Sequence, residues 1–402
     1  MPSIEQPSFR TAAALGADLR SGRLDACDLI EETLAAIAAH PDKAIFIEVT
    51  AERARREARA ARARLGSGIA LSALDGVPMA WKDLFDVEGR VTTAGSVVFK
   101  DQAPARRDAA LLSAAVRAGL VTIGLVNMTE FAYSGIGLNP HYGTPRNPCD
   151  RKVARSPGGS SSGSGVVVAA GLSPLAMGTD TGGSVRVPAS FNGVVGYKSS
   201  TGRFATDGVF PLSRTLDTLG PLAHTVEDCV LADAALRGVL VPEARRGTVE
   251  GLRICVPETL VLDGCEPAVA ANFEAAIERL AQAGARLTLA ARRTDRLETL
   301  AQKIVDAGKP RPVVAECDVT RDGDLERAVA EAIRAFGKLD VVFANAGFGV
   351  VAPLKKLALE DYRRQFETNV FGVLRTIYAA LPELEKSKGN LAIIGSVAGW
   401  IA

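Results

Sequence analysis

The chain has 402 residues, 47% of them hydrophobic and 23% charged, and its formal net charge is +1. That is a globular composition with room for two or three domains, and it gives no general electrostatic pull toward nucleic acid or an anionic membrane. The opening Met-Pro-Ser-Ile-Glu-Gln lacks the basic and apolar regions of a signal peptide, and no apolar run is long and unbroken enough to span a bilayer. The cysteines (Cys27, Cys149, Cys229, Cys255, Cys265 and Cys317) are scattered without a C-x-x-C pair. This pattern fits a reduced cytoplasm and calls for neither disulfides nor a metal site.

Residues 10–40 read as helices, with Ile30, Leu34 and Ile37 at i, i+4 and i+7 and Asp28, Glu31 and Glu32 early in the second of them. Residues 51–65 are rich in Ala, Arg and Glu and also helical; their arginines suit a solvated helix face better than a tRNA-facing patch. Residues 108–118 read as a helix and 120–125 as a strand. A turn-rich segment, 127–147, follows and carries Tyr133, Asn139, His141 and Tyr142. His141 has no ligand spacing with His40 or His224, and reads as an ordinary loop histidine rather than a substrate contact.

The stretch from Arg155 to Pro188 organises what surrounds it. No residue between Arg155 and Asp180 is charged, and the apolar Val166 to Ala170 at its centre demands burial. Gly158-Gly159 and Gly182-Gly183 flank that centre, and a serine follows each pair, Ser160 and Ser184. Glycine pairs permit tight turns with exposed N–H groups. Two serines on such turns suggest a nucleophile and a partner hydroxyl beside an anion-binding nest. Gly159 to Gly163 also fits G-x-S-x-G, but it follows Arg-Ser-Pro rather than a strand, which argues against a strand-to-helix nucleophile elbow.

These residues closely resemble the amidase signature family, whose pattern is P-G-G-S-S-x-G-S followed by G-T-D-x-G-G-S-x-R-x-P. The family's lysine motif resembles Leu74 to Asp83, and Ser162 stands where glycine is common. The resemblance extends from about residue 10 to about residue 287. It implies a Ser–Ser–Lys triad with Ser184 as nucleophile, Ser160 as the bridging serine on a cis peptide and Lys82 as base. The N–H groups of Thr181, Gly182, Gly183 and Ser184 would form an oxyanion hole. A basic Lys82 must be neutral, and its neighbours Met79, Ala80 and Trp81 permit the burial that would lower its pKa. The implied fold is a mixed sheet with flanking helices, and the implied substrate is a small-molecule amide.

Beyond this the pattern changes. Residues 252–256, 286–291, 313–316, 339–344 and 390–395 read as strands. Residues 267–284, 324–336 and 359–380 read as helices, the last with polar punctuation at Glu367, Thr368 and Asn369. Such alternation describes a parallel, doubly wound sheet. Its residues resemble a partial short-chain dehydrogenase/reductase, a Rossmann-like α/β segment over 287–402. The resemblance makes Arg292 and Arg293 a 2′-phosphate site, Asp318 an adenine contact, Asn345 part of an Asn-Ala-Gly motif, and Asn369 and Ser396 remnants of the reductase site. Two parts of that family's pattern are missing. The loop 257–266 holds one glycine, Gly264, where a glycine-rich turn belongs, and no Tyr-x-x-x-Lys follows Ser396. Gly347 to Ala352 matches G-x-G-x-x-A only formally, because Pro353 follows at once.

The reading is therefore an amidase-signature domain over 1–286, lacking that family's C-terminal part, joined near 283–287 to a reductase segment over 287–402. It predicts a cytoplasmic hydrolase of carboxamide C–N bonds that needs no cofactor, metal, nucleic acid or membrane. Apolar faces left by the missing part predict a homo-oligomer. A glutamine amidotransferase subunit acting on aminoacyl-tRNA is the alternative within the family. An NADP-dependent reductase and an inactive fusion are the alternatives outside it.

Overall fold

The structure, a computed structural model, describes residues 10–150, 152–239, 248–257, 267–344, 346 and 358–393. The described residues form two units, one ending at Val239 and the other starting at Thr248. The change of sequence pattern at 283–287 falls inside the second unit, between a helix and the strand after it.

In the first unit the strands are β1 (Phe46–Val49), β2 (Pro78–Lys82), β3 (Val121–Val126), β4 (Leu175–Asp180), β5 (Val195–Gly196) and β6 (Thr218–Ala223). They form one mixed sheet in the order β1-β3-β2-β4-β6-β5. β2 runs parallel to β3 and β4, whereas β1 and β6 pair antiparallel with β3 and β4. Around the sheet lie α1 (Ala12–Arg20), α2 (Ala26–Ala39), α3 (Ala51–Gly66), α4 (Ala110–Arg117), α5 (Ser162–Ala169), α6 (Arg186–Asn192) and α7 (Val226–Leu236).

The central strands are covered on both faces, so side chains on both sides of the pleat are buried. On β2, Met79 and Trp81 join a core that includes Phe85, Leu112, Leu175 and Met177, while Ala80 joins the opposite core. That second core also takes Val166, Val167 and Val168 of α5, which explains the apolar centre of the uncharged stretch. In β2, β4 and β6 polar residues therefore survive only at the strand ends. Lys82 closes β2, Thr179 and Asp180 close β4, and Asp180 pairs in register with Thr218 at the start of β6.

Four of the six arginines of α3 meet carboxylates. Arg53 bonds Glu57 and Asp108, Arg55 bonds Glu31 and Glu52, Arg62 lies 3.8 Å from Asp25, and Arg64 bonds the buried Asp75. The helix thus carries a charged face tied to its neighbours, with Arg53 and Glu57 largely withdrawn from solvent where the sequence suggested a solvated face.

The second unit is a parallel sheet of β7 (Arg253–Pro257), β8 (Arg286–Ala291), β9 (Val313–Glu316), β10 (Val341–Ala344) and β11 (Asn390–Ile393). The strand order β11-β10-β7-β8-β9 reverses direction beside β7, which is the doubly wound arrangement. Its helices are α8 (Pro267–Gln282), α9 (Thr294–Asp306), α10 (Asp324–Phe336), α11 (Leu359–Phe366) and α12 (Val373–Ser387). A widened π-helical turn, Glu367–Gly372, joins α11 to α12 at the predicted polar punctuation. Phe366, Val370, Phe371, Leu374, Tyr378 and Leu381 recur at helical spacing along this last pair and remain exposed.

Candidate active site

Lys82 is fully buried at the end of β2. Its Nζ donates to Ser160 Oγ and to Thr179 Oγ1, both at 2.7 Å. Burial pushes its pKa down from 10.5 to about 7, against the opposing pull of the Asp180 and Asp217 carboxylates. Removing an ammonium from water favours the neutral amine, and two carboxylates beyond contact distance only partly offset that.

Ser160 sits just ahead of α5, and the Gly159–Ser160 peptide is cis. Its carbonyl accepts a 3.0 Å hydrogen bond from Thr129 N–H. Gly159 permits this packing, because a Cβ there would lie 2.6 Å from Thr129 Oγ1 and 2.7 Å from Gly137 N. Next in the chain, Ser161 does something different. Its buried hydroxyl bridges β4, donating to Thr179 C=O at 3.3 Å and accepting from Thr179 N–H at 3.4 Å.

Ser184 lies half-buried on the loop between β4 and α6, and its carbonyl accepts from Ser161 N–H at 3.3 Å. The structure thus brings Lys82 and Ser160 into contact and joins the Ser160 and Ser184 loops through the backbone. No hydrogen bond between the Ser160 and Ser184 hydroxyls occurs among the described residues.

Asp180, absent from the sequence reading as a functional residue, shapes the loop. It is fully buried and accepts from the N–H groups of Gly183 (2.7 Å), Val185 (3.1 Å) and Arg186 (3.3 Å), and from the Arg186 guanidinium at 2.9 and 3.0 Å. Burial works to raise its pKa, but the Arg186 contacts and the backbone donors outweigh it and hold the carboxyl below its usual range. Gly183, read from the sequence as an oxyanion donor, thus gives its N–H to Asp180. Its φ of +135° is one that only glycine adopts readily. Thr181 is also engaged, through a hydrogen bond from its hydroxyl to Asp217.

The turn-rich segment lies against the same region. Gly159 N–H donates to Gly135 C=O at 2.7 Å. Asn139 is buried and spans Gly95 C=O and Met128 C=O. His141 Nε2 lies 2.9 Å from Glu130 Oε1, which also accepts from Ser96 Oγ at 2.7 Å. Tyr133 is largely exposed.

In the second unit, Arg292 and Arg293 follow β8 and are exposed. Asp318 follows β9 and is nearly buried; its Oδ1 accepts from Thr320 N–H at 2.9 Å and from Thr320 Oγ1 at 2.7 Å, so it holds its own turn. Asn369 is exposed on the π-helical turn. Asn345, Ser396 and the loop 258–266 lie outside the described residues. Among the described residues no cluster of His, Cys, Asp or Glu could hold a metal ion, and no helix is long and apolar enough to cross a membrane.

The first unit is an α/β fold of mixed sheet whose buried polar groups converge where β2 and β4 end. The chain belongs to the amidase family, whose model matches residues 28–308, and the short chain dehydrogenase model matches residues 274–402. Over 242 residues it is 46% identical to a 2-amino-5-chloromuconic acid deaminase of Comamonas testosteroni, covering 58% of this chain and 51% of the relative. It is 43% identical over 274 residues to a 1-carboxybiuret hydrolase subunit of Pseudomonas sp. (strain ADP), covering 64% and 59%. A solved structure of a vestigial protein complex, bearing on the origins of an s-triazine catabolic enzyme, aligns with a TM-score of 0.64 and 34% identity, covering 94% of this chain and 75% of that one. The chain thus spans between 51% and 59% of the length of these curated relatives.

Proposed function

We propose that the first unit hydrolyses the C–N bond of a small-molecule carboxamide through a Lys82–Ser160–Ser184 relay. The observation that carries this reading is the buried Lys82 amine, 2.7 Å from Ser160 Oγ, with its pKa brought to about 7. An amine neutral near pH 7 can accept a proton, and an alkylammonium at its ordinary pKa cannot. Lys82 takes the Ser160 proton as Ser160 takes that of Ser184, and Ser184 Oγ attacks the amide carbonyl. The developing oxyanion is received by the N–H groups of Thr181, Gly182 and Ser184, each such donor being worth about 3 kcal/mol. Ser160 returns a proton to the departing amine, and water releases the acyl group from Ser184 by the same relay. The Asp180–Arg186 clamp keeps the loop in place through both steps.

On this reading the amidase-derived sequence runs over 1–286 and the reductase-derived segment over 287–402, with β7 and α8 of the former folded into the second unit. The protein works in the cytoplasm, with neither nucleic acid nor a membrane as partner. The carboxylate partners of the α3 arginines favour a small molecule over tRNA.

Labelling with a serine-directed fluorophosphonate tests the reading. Ser184→Ala should abolish labelling and lower amide turnover about a thousandfold or more. Ser161→Ala should spare labelling while costing about 1 kcal/mol of stability, because its hydroxyl bridges β4. Equal loss of labelling from both changes would overturn the assignment.

A further inference from the structure

Directly after Lys82 stands a second buried ionisable group, Asp83, which the relay does not use. It is fully buried, yet its carboxylate is not among the hydrogen-bond partners of the Lys82 amine, which are Ser160 and Thr179. Asp83 Oδ2 instead accepts from Gly95 N–H at 3.1 Å and from the Thr93 hydroxyl, and Oδ1 lies 3.5 Å from Thr93 N. Its backbone carbonyl accepts from Ala94 N–H at 3.0 Å. Every one of these contacts falls on the turn 93–96, where Ala94 and Gly95 both have positive φ.

That turn in turn carries the segment that reaches Ser160. Ala94 C=O accepts from Phe131 N–H at 2.9 Å, and Gly95 C=O shares the Asn139 amide with Met128 C=O. Ser96 Oγ donates to Glu130. Between Met128 and Glu130, Thr129 donates its N–H to Ser160 C=O. Ala94 and Met128 are sealed in a small apolar cluster with Leu84 and Ala132, so the path is packed as well as hydrogen-bonded.

We propose that Asp83 is a positioning residue: from the position next to Lys82, its carboxylate fixes the turn 93–96 and, through residues 128–139, holds Ser160 against the Lys82 amine. The proposal rests on the hydrolase reading for its catalytic consequence, but the mechanical link stands apart from it. Burial pushes the Asp83 carboxyl up to about 6 against the bonds from Thr93 and Gly95, so at neutral pH it is ionised and serves purely as an acceptor.

The test compares the full chain with Asp83→Ala, Asp83→Asn and the neighbouring Asp86→Asn, a control whose carboxylate bonds the Thr92 hydroxyl and not the turn 93–96. Amide hydrogen exchange is read at Thr129 and Phe131, and kcat and KM are read on a simple carboxamide. Asp83→Ala should speed exchange at Thr129 about tenfold or more, by local opening rather than global unfolding. It should lower kcat about 100-fold, as a misplaced catalytic pair does, with KM little changed. Asp83→Asn, which keeps one acceptor oxygen, should fall between Asp83→Ala and the parent, and Asp86→Asn should match the parent. Unchanged Thr129 protection in both Asp83 variants overturns the proposal, as does a lower melting temperature with kcat per folded molecule unchanged. A parent without turnover would count against the hydrolase reading, while the exchange result would still decide the link from Asp83 to Ser160.

Discussion

Thr179 Oγ1 accepts a 2.7 Å hydrogen bond from Lys82 Nζ. A neutral amine has two N–H bonds and one lone pair. With one N–H held by Thr179, the lone pair can face the Ser160 hydroxyl, which lies at the same 2.7 Å distance. Thr179→Val keeps the shape and removes the acceptor. It should lower kcat about 10- to 100-fold, whereas Thr179→Ser should keep most of it. Parent-like turnover by Thr179→Val would mean that the lysine is oriented by burial alone.

The Lys82 pKa sets two pH dependences. Below about pH 7 the amine is protonated and cannot serve as base, so kcat/KM should fall tenfold per pH unit on the acid side of that value. Stability responds as well. Between about 7 and the ordinary 10.5 the unfolded chain holds a proton that the folded chain has released, so stability rises with pH across that window and is lost as pH falls through 7. Lys82→Met should therefore be inactive yet more stable than the parent at pH 6, by a few kcal/mol at most. A pH–rate profile and thermal melts from pH 6 to 9 check both.

Asp180 and Arg186 form a pair in which only the acid is sealed from solvent, with the arginine side chain 37% exposed. Asp180→Asn places an amide NH₂ where three backbone donors and a guanidinium converge. The change should cost about 3 kcal/mol or more and release the loop carrying Ser184. Turnover should fall at least about 100-fold, with labelling of Ser184 slowed to match. Melting temperature and labelling rate measured on the same preparation test it, and fast labelling on a destabilised chain would separate the clamp from catalysis.

What the sequence revealed follows from where its signals lie. The pairing of Lys82 with Ser160 is legible because both occupy motifs of fixed residue type, α2 from its apolar residues at i, i+4 and i+7, and α3 from its Ala, Arg and Glu content. β2, β4 and β6 were not assigned. They are spans of five or six residues buried on both faces, and Gly178 in β4 and Gly220-Pro221 in β6 interrupt the strand signal there. The apolar run 166–170 was seen to need burial but not to be the body of α5, whose first residues are serine and glycine. Thr179, Ser161 and Asp180 looked like motif punctuation, because their roles depend on β4 pairing between β2 and β6, a relation with no sequence period. Gly183 was assigned a donor role from its position in the loop, without the carboxylate that claims its N–H.

The exposed apolar row on α11 and α12 bears on association. Phe366, Val370, Leu374 and Tyr378 recur every fourth residue, and Tyr378 is 70% exposed. A continuous apolar stripe of this kind favours burial against another surface. The chain should sediment as an oligomer, and Leu374→Glu with Tyr378→Lys should shift it toward monomer without changing labelling of Ser184. A monomeric parent at micromolar concentration would show that the stripe tolerates water.

The remaining prediction is that the second unit does not bind NADPH productively. In a doubly wound sheet the dinucleotide lies across the carboxyl ends of the strands where their order reverses, with its pyrophosphate at the first helix N-terminus. Here the order reverses beside β7, so the sequence that bears on the cofactor is the one between β7 and α8, outside the described residues. That sequence holds one glycine, Gly264, and three carboxylates, Glu258, Asp263 and Glu266. Carboxylates repel a pyrophosphate, and side chains larger than glycine block the backbone approach it needs. Asp318, the adenine contact implied by resemblance, spends its Oδ1 on Thr320. Arg292 and Arg293 are exposed after β8 and can attract a 2′-phosphate only weakly without the pyrophosphate site. Titration calorimetry with NADPH should show no saturable micromolar binding. Replacing Glu258, Asp263 and Glu266 together with glycine should raise whatever affinity remains, whereas tight binding by the parent would reverse the argument.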